Sequence, residues 1–274
     1  MRFGLGFTLS LLLFGAGCAV SSPPPPAQAI AATKPAPPVP AIADVTEIEV
    51  LRAALMHEVP QHTNRTDASD AAWIVRAKTA TRGLTIDQPQ LIVVVDRNPA
   101  AQELLIILAQ PNGQWEAIGG SKVSTGQAGR RGYFITPTGI FQHTDDILDY
   151  RAQGTFNENH IRGLGLKGMR VWDFGWQTTE TGWLPQPQPA EIRLLMHATD
   201  PDYLERRIGR PASEGCIRVP ATMNRFLDYH GVLDADYERD APDDPRLRAL
   251  LLPVRQPTKL AGTALVVVDS SLQE

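Results

Sequence analysis

The sequence predicts a mainly β domain with short helices and a small helical attachment on its N-terminal side. Three observations carry this. Leu91-Ile-Val-Val-Val95 and Glu103-Leu-Leu-Ile-Ile-Leu-Ala109 are apolar runs of strand length, rich in branched side chains. Turn formers are abundant, with 22 Gly and 23 Pro, while aromatics are only 7%, a balance that favours strands joined by turns over a helical bundle. Upstream, at Ile48, Leu51, Leu55 and Val59, the apolar spacing changes to intervals of three and four, one face of a helix.

The chain opens on Met1-Arg2 and an apolar stretch from Phe3 to Phe14, followed by the small residues Gly15-Ala16-Gly17 and then Cys18. The stretch is too short and wrongly flanked for a membrane span and reads as an export signal, residues 1–18. Small residues before a cysteine resemble the processing site of bacterial lipoproteins, which implies an exported protein of the periplasm or cell envelope, attached to the membrane through lipidated Cys18. Read otherwise, Cys18 is a small residue of the apolar stretch. Residues 19–43 are rich in Pro and Ala and hold no core, as expected of an extended spacer.

Residues 44–85 form the helical attachment. Its first helix stops near Pro60, and a second covers Asp70 to Lys78 with Trp73 and Ile74 inward. His57 and His62 have no ligand grouping and read as exposed or helix-end residues. Residues 86–274 form one domain. After the two apolar runs, Trp115 to Ile118 continues the sheet, and Tyr133-Phe-Ile135 and Gly139-Ile-Phe141 fit short strands among turns. Val171 to Phe174 is a further strand. Trp176 and Trp183 are candidates to line a groove, or else core anchors, and His143 and His160 are candidates to approach a site. Pro220 to Tyr229 reads as a helix ended by Gly231, Asp240 to Asp244 as a solvated loop, and Leu265 to Asp269 as a last strand.

The stretch that carries chemistry runs from Ile192 to Val219. An apolar lead-in delivers His197, and the turn Ser213-Glu-Gly-Cys216 is followed by Ile217-Arg218-Val219. If Cys18 is processed, Cys216 is left as a lone thiol in an oxidising compartment, where it is prone to damage, so a function explains it better than an apolar contact. A nucleophilic thiol needs a base, for which His197 is the candidate. Attack on an acyl carbonyl makes an oxyanion, which backbone N–H groups near Gly215 and Cys216 can stabilise, with Ser213 as polar support. Arg218 can hold a carboxylate, or else make a structural ion pair. No compact metal-ligand set and no phosphate-loop pattern occur, so no cofactor is called for. The net charge of −4, without a basic block, argues against nucleic acid. The oligomeric state is left open.

Gly132-Tyr-Phe-Ile-Thr-Pro-Thr-Gly-Ile-Phe141, Met196-His-Ala-Thr199, Ile208-Gly209 and Ser213-Glu-Gly-Cys-Ile-Arg-Val219, in this order, resemble the L,D-transpeptidase catalytic domain, also called the YkuD domain, over roughly Gln90 to Val232. The resemblance implies a β-sandwich with short helices. It also implies that Cys216 forms a thioester with a peptidoglycan stem peptide, that His197 manages the proton, and that an amine resolves the thioester. Water in place of the amine makes the chain an L,D-carboxypeptidase or hydrolase, and loss of chemistry makes it a wall-binding or scaffolding module. Two residues depart from the family pattern. Ala198 stands where glycine is frequent, and Glu214 stands where many members have histidine and disfavours a neighbouring thiolate unless it turns away or pairs with Arg206, Arg207 or Arg210.

Overall fold

The computed structural model describes residues 45–272. The export signal, Cys18 and the whole of the spacer lie outside the described residues. Helices α1 (Val45–Glu58) and α2 (Asp67–Ala80) precede the strands β1 (Gln90–Asp96), β2 (Glu103–Ala109), β3 (Glu116–Lys122), β4 (Gly139–Gln142), β5 (Tyr150–Arg151), β6 (Arg170–Glu180), β7 (Pro189–Ala198) and β8 (Ile217–Val219). Helices α3 (Ala221–Tyr229), α4 (Ala235–Asp240) and α5 (Pro245–Leu250) follow, and β9 (Ala264–Val268) closes the chain's last sheet position. Among the described residues no helix is long and apolar enough to cross a membrane.

The strands form two sheets, ordered β3-β2-β1-β9-β4 and β5-β6-β7-β8. They face each other across one core. Leu91, Val93, Val95, Leu104, Ile106 and Leu108 of the first sheet meet Trp172, Phe174, Leu194, Met196, Ile217 and Val219 of the second. The chain is therefore mainly β and a two-sheet sandwich, as expected. Helix α1 buries Ile48, Leu51 and Leu55 in that same core, so the predicted helical face is real.

The first two strands are buried on both faces, which is why they read as unbroken apolar runs rather than as alternation. The second face, with Ile92, Val94, Leu105, Ile107 and Val266, packs on Trp73 and Ala77 of α2. Thr66 caps α2 by accepting from the Ser69 N–H at 3.2 Å. The last strand runs parallel to β1 and antiparallel to β4, filling the sheet between them.

Several expectations need adjustment. Tyr133 to Ile135 is not a strand. Phe134 makes one isolated bridge, to Thr181, and spends its N–H on the Glu214 carbonyl at 3.3 Å. The third strand runs through Gly119 and Gly120 instead of stopping before them. The acidic stretch around Asp240 to Asp244 is flanked by helices α4 and α5, with Asp244 accepting from the Arg246 N–H at 2.8 Å and Pro245 opening the second of them.

Candidate active site

The second sheet has a core face and a site face, and strand periodicity separates them. Leu194, Met196, Ile217 and Val219 point into the core. Side chains alternate along a strand, so Arg193, Leu195 and His197 of β7 lie on the opposite face, with Arg218 of β8 and the adjacent Cys216. Parallel pairing sets His197 opposite Arg218. The expected base, thiol and cation therefore share one surface, although 18 residues of sequence lie between His197 and Cys216.

The strand β6 extends this face. Its register shifts between Asp173 and Trp176, where Asp173 is opposite Leu195 but Trp176 is opposite Arg193. The extra residue is accommodated at Gly175, with φ +74, whose N–H donates to Asp173 Oδ1 at 2.9 Å. Without this bulge Trp176 would point to the core. Instead it is 66% exposed, next to Arg193. Trp183 packs edge-on to Phe134 at 5.2 Å between ring centroids, and the Phe134 N–H in turn donates to the Glu214 carbonyl of the cysteine turn.

The cysteine turn is held from both sides. Ser213 Oγ donates to the Cys216 carbonyl at 2.5 Å and accepts the Gly215 N–H at 3.2 Å. Thr136 Oγ1 donates to the Gly215 carbonyl at 2.7 Å and accepts the Gly126 N–H at 2.8 Å. Gly215 has φ +127, and a Cβ there would come within 2.9 Å of Ile192 Cδ1. The backbone conformation is what calls for glycine, since the facing methyl is the movable end of a side chain. Since its N–H is given to Ser213, Gly215 serves as turn support in this conformation rather than as a free oxyanion donor.

Cys216 is a free, half-buried thiol that donates weakly to the Arg193 carbonyl at 3.9 Å. Burial pushes its pKa up. A backbone contact at Leu195 and the Arg218 charge pull it down, while Glu214 and Asp173 push it further up. Glu214 is exposed and makes no ion pair among the described residues, so it is not neutralised by Arg206, Arg207 or Arg210. His197 is buried, and its pKa falls to about 4, first through burial and further through Arg218, against an opposing hydrogen bond. That bond joins Nδ1 to the Ala198 carbonyl at 2.7 Å. A carbonyl only accepts, so Nδ1 carries the proton and Nε2 is the basic nitrogen of the neutral ring. Among the described residues no hydrogen bond joins the thiol to His197.

Ala198 needs no positive φ. It is an ordinary residue of its strand, opposite Val219, and its carbonyl is the part that His197 uses. Arg218 makes no ion pair among the described residues. It donates to the Ala212 carbonyl at 3.0 Å, and its buried Nε has no partner. Burial lowers its pKa, as expected of a cation short of counter-charge.

Sequence reasoning missed three residues of this face. Tyr150 on β5 lies opposite Val171 and feels Asp173 and Cys216, which together with burial raise its pKa. Asp173 receives Arg193 Nε at 2.7 Å. Asp173 was legible as a lone acid at an alternating position in Val171-Trp-Asp-Phe174. Tyr150 and Arg193 carried no such signal.

His143 and His160 do not join the site. His160 is exposed in a turn with φ +54. His143 is buried with Asp149 and Asp234, the one group among the described residues with metal-like spacing. Arg170 already lies among these carboxylates, with Nε 2.6 Å from Asp149 and the guanidinium 3.3 Å from Asp234. Both ring nitrogens of His143 also meet acceptors, Leu233 O at 2.8 Å and Asp149 Oδ2 at 2.9 Å. The group is thus an internal ion network that protein cations fill.

Comparison with protein families matches residues 90–236 to the L,D-transpeptidase catalytic domain, YkuD. No curated protein matches the chain. The matched segment covers more than half of the sequence and includes β7, β8 and the turn that bears Cys216, and the chain belongs to the L,D-transpeptidase catalytic domain family, which acts on peptidoglycan peptides.

Proposed function

We propose that the chain is an exported cysteine L,D-transpeptidase, with Cys216 as nucleophile and His197 as base. The observation that carries this reading is the shared face: the parallel pairing puts a basic Nε2 and the thiol on one side of the second sheet. With the thiol pKa raised and the imidazole pKa lowered, the resting pair is neutral thiol and neutral imidazole. Proton transfer then accompanies attack instead of preceding it. Catalytic hydrogen bonds are commonly long before substrate arrives, so thiol and imidazole close up in the substrate complex.

In the first half-reaction the Cys216 S–H proton passes to His197 Nε2 while the S–C bond forms at the stem-peptide carbonyl. The tetrahedral oxyanion collapses, the C–N bond breaks, and the leaving amine takes the proton from His197. In the second, an acceptor amine attacks the thioester, the S–C bond breaks and the new amide forms. His197 takes the amine proton, and Cys216 regains its own. The buried, unpartnered Arg218 Nε supports a role in holding a stem carboxylate. Ser213 and Gly215 keep the thiol's turn in shape.

Export and membrane attachment through Cys18 complete the reading, with the Pro/Ala-rich spacer bridging anchor and domain. Product analysis with a purified stem tetrapeptide and an amine acceptor tests the function. Cross-linked or exchanged product is expected. Trimmed peptide alone, with acceptor present, would show that water resolves the thioester and would overturn the transferase assignment.

A further inference from the structure

Gln102 departs from local preference. It ends the turn that joins β1 to β2, where the Asn98 carbonyl accepts the Ala101 and Gln102 N–H groups at 2.8 and 3.0 Å. Its φ is +44, in the left-handed region, which among the described residues only one other non-glycine residue, His160, shares. Glycine or asparagine suits such a position better. His160 is exposed, whereas Gln102 is fully buried. A long side chain kept inside the protein on a disfavoured backbone raises the question of what that side chain holds.

Its amide is fully engaged. Oε1 accepts the Thr125 N–H at 2.8 Å, and Nε2 donates to Thr125 Oγ1 and to the Arg97 carbonyl, each at 2.7 Å. The two backbone partners fix which end is oxygen, since an N–H only donates and a carbonyl only accepts. The Gln102 carbonyl also accepts the Val123 N–H at 2.9 Å. Backbone and side chain of Gln102 thus hold the segment that leaves β3.

That segment closes the cysteine turn. Ser124 exchanges both backbone hydrogen bonds with Arg218, at 2.8 and 2.9 Å, just beyond the thiol. Just before the thiol, the Thr125 carbonyl accepts the Ala212 and Ser213 N–H groups, each at 3.0 Å. Ser213 Oγ in turn donates to the Cys216 carbonyl. A continuous path of hydrogen bonds runs from the Gln102 amide through Thr125 and Ser213 to the backbone of the thiol.

We propose that Gln102 is a positioning residue for Cys216. Its amide fixes Thr125, the Ser124–Thr125 segment fixes the cysteine turn on both sides, and the turn sets where Sγ stands relative to His197 Nε2. Glycine at this position has no amide, and asparagine carries its amide one methylene further from Thr125. The inference rests on the reading of Cys216 as nucleophile and His197 as base.

Steady-state kinetics of the full chain on a stem tetrapeptide, with a saturating amine acceptor, tests this role. Gln102→Asn suits the turn but withdraws the amide. Its kcat should fall at least about tenfold with KM within about twofold, because a displaced thiol weakens the transition state more than binding. A second pair of variants keeps the test open if that one does not fold. Thr125→Val keeps the side-chain shape and removes the hydroxyl that receives Nε2, whereas Thr125→Ser removes the methyl and keeps the hydroxyl. Thr125→Val should lose kcat several-fold and Thr125→Ser should stay near the wild type, the reverse of the order that packing alone produces. Unchanged kcat in Gln102→Asn, or a greater loss in Thr125→Ser than in Thr125→Val, overturns the positioning role while the wild type turns over. A wild type without turnover overturns the functional reading, and this role with it.

Discussion

His197 stands directly opposite Arg218 where β7 and β8 pair in parallel, and one step back along the second strand's path lies the thiol turn. The arginine has two effects there. It lowers the imidazole pKa, and it lowers the thiol pKa against the larger effect of burial. A single cation thus favours a base that is neutral at physiological pH and tempers the cost of making a thiolate.

The pH dependence of thiol chemistry follows. His197 titrates at about 4, so loss of the base should appear only on the acid side, and kcat/KM should rise through that value and stay level toward neutrality. Iodoacetamide alkylation of Cys216 should be slow at neutral pH and increase only above the ordinary thiol range, since burial raises that pKa. A stopped-flow or mass-spectrometric rate profile checks both. A fast alkylation plateau extending below neutrality would mean a preformed thiolate and imidazolium.

Arg218→Lys keeps a positive charge but removes the Nε donor and the planar fork. If the buried Nε meets a stem carboxylate, KM should rise about 10- to 100-fold, with kcat changed much less. Steady-state kinetics on a stem tetrapeptide and on the same peptide with its carboxylate amidated separates the effects. The substitution should matter little for the amidated peptide.

Gly215→Ala should destabilise by about 1–3 kcal/mol through its backbone conformation, because φ +127 is a region that side-chain-bearing residues avoid. The side-chain obstacle is milder, since the facing atom is the movable end of Ile192. Gly129→Ala is the control, as that glycine also has positive φ but faces open space. Denaturant melts should show comparable backbone cost in both, whereas peptidoglycan turnover should fall only for Gly215→Ala.

The buried network around His143 has its own signature. Burial alone would lower the His143 pKa, yet the charge and hydrogen bond of Asp149, aided by Asp234, outweigh it and raise it. A raised folded-state value contributes stability that is complete below the unfolded value of about 6.5 and is lost as pH rises through the folded value. Thermal melts should therefore show stability declining as pH rises above about 6.5. His143→Gln should be less stable at pH 6 and should show a flatter decline.

How much was legible is clearest from particular residues. The run Glu103 to Ala109 is a strand over the expected residues, because branched apolar side chains buried on both faces leave an unmistakable signal. His197, Cys216 and Arg218 were legible because their chemistry is rare and their motif is local. The network of His143, Asp149, Arg170 and Asp234 was not, since its members are scattered from 143 to 234 and only the two-sheet packing brings them together. Tyr133 to Ile135 misled because three apolar residues suggest a strand, whereas their backbone hydrogen bonds go singly to Arg130, Glu214 of the cysteine turn, Glu180 and Gly182. Asp244-Pro245 was a readable helix start inside an acidic stretch that drew attention to its charge instead. The bulge at Gly175, which turns Trp176 outward, left no mark beyond a single glycine.

The central claim is that Cys216 carries the acyl group. Intact-mass analysis after incubation with a stem tetrapeptide, followed by peptide mapping, tests it most directly. The account predicts an adduct equal to the acyl portion of the donor, located at Cys216, sensitive to hydroxylamine, and discharged when an amine acceptor is added; Cys216→Ala should show neither adduct nor product. Product formation by Cys216→Ala, or an adduct that maps to another residue, would contradict it.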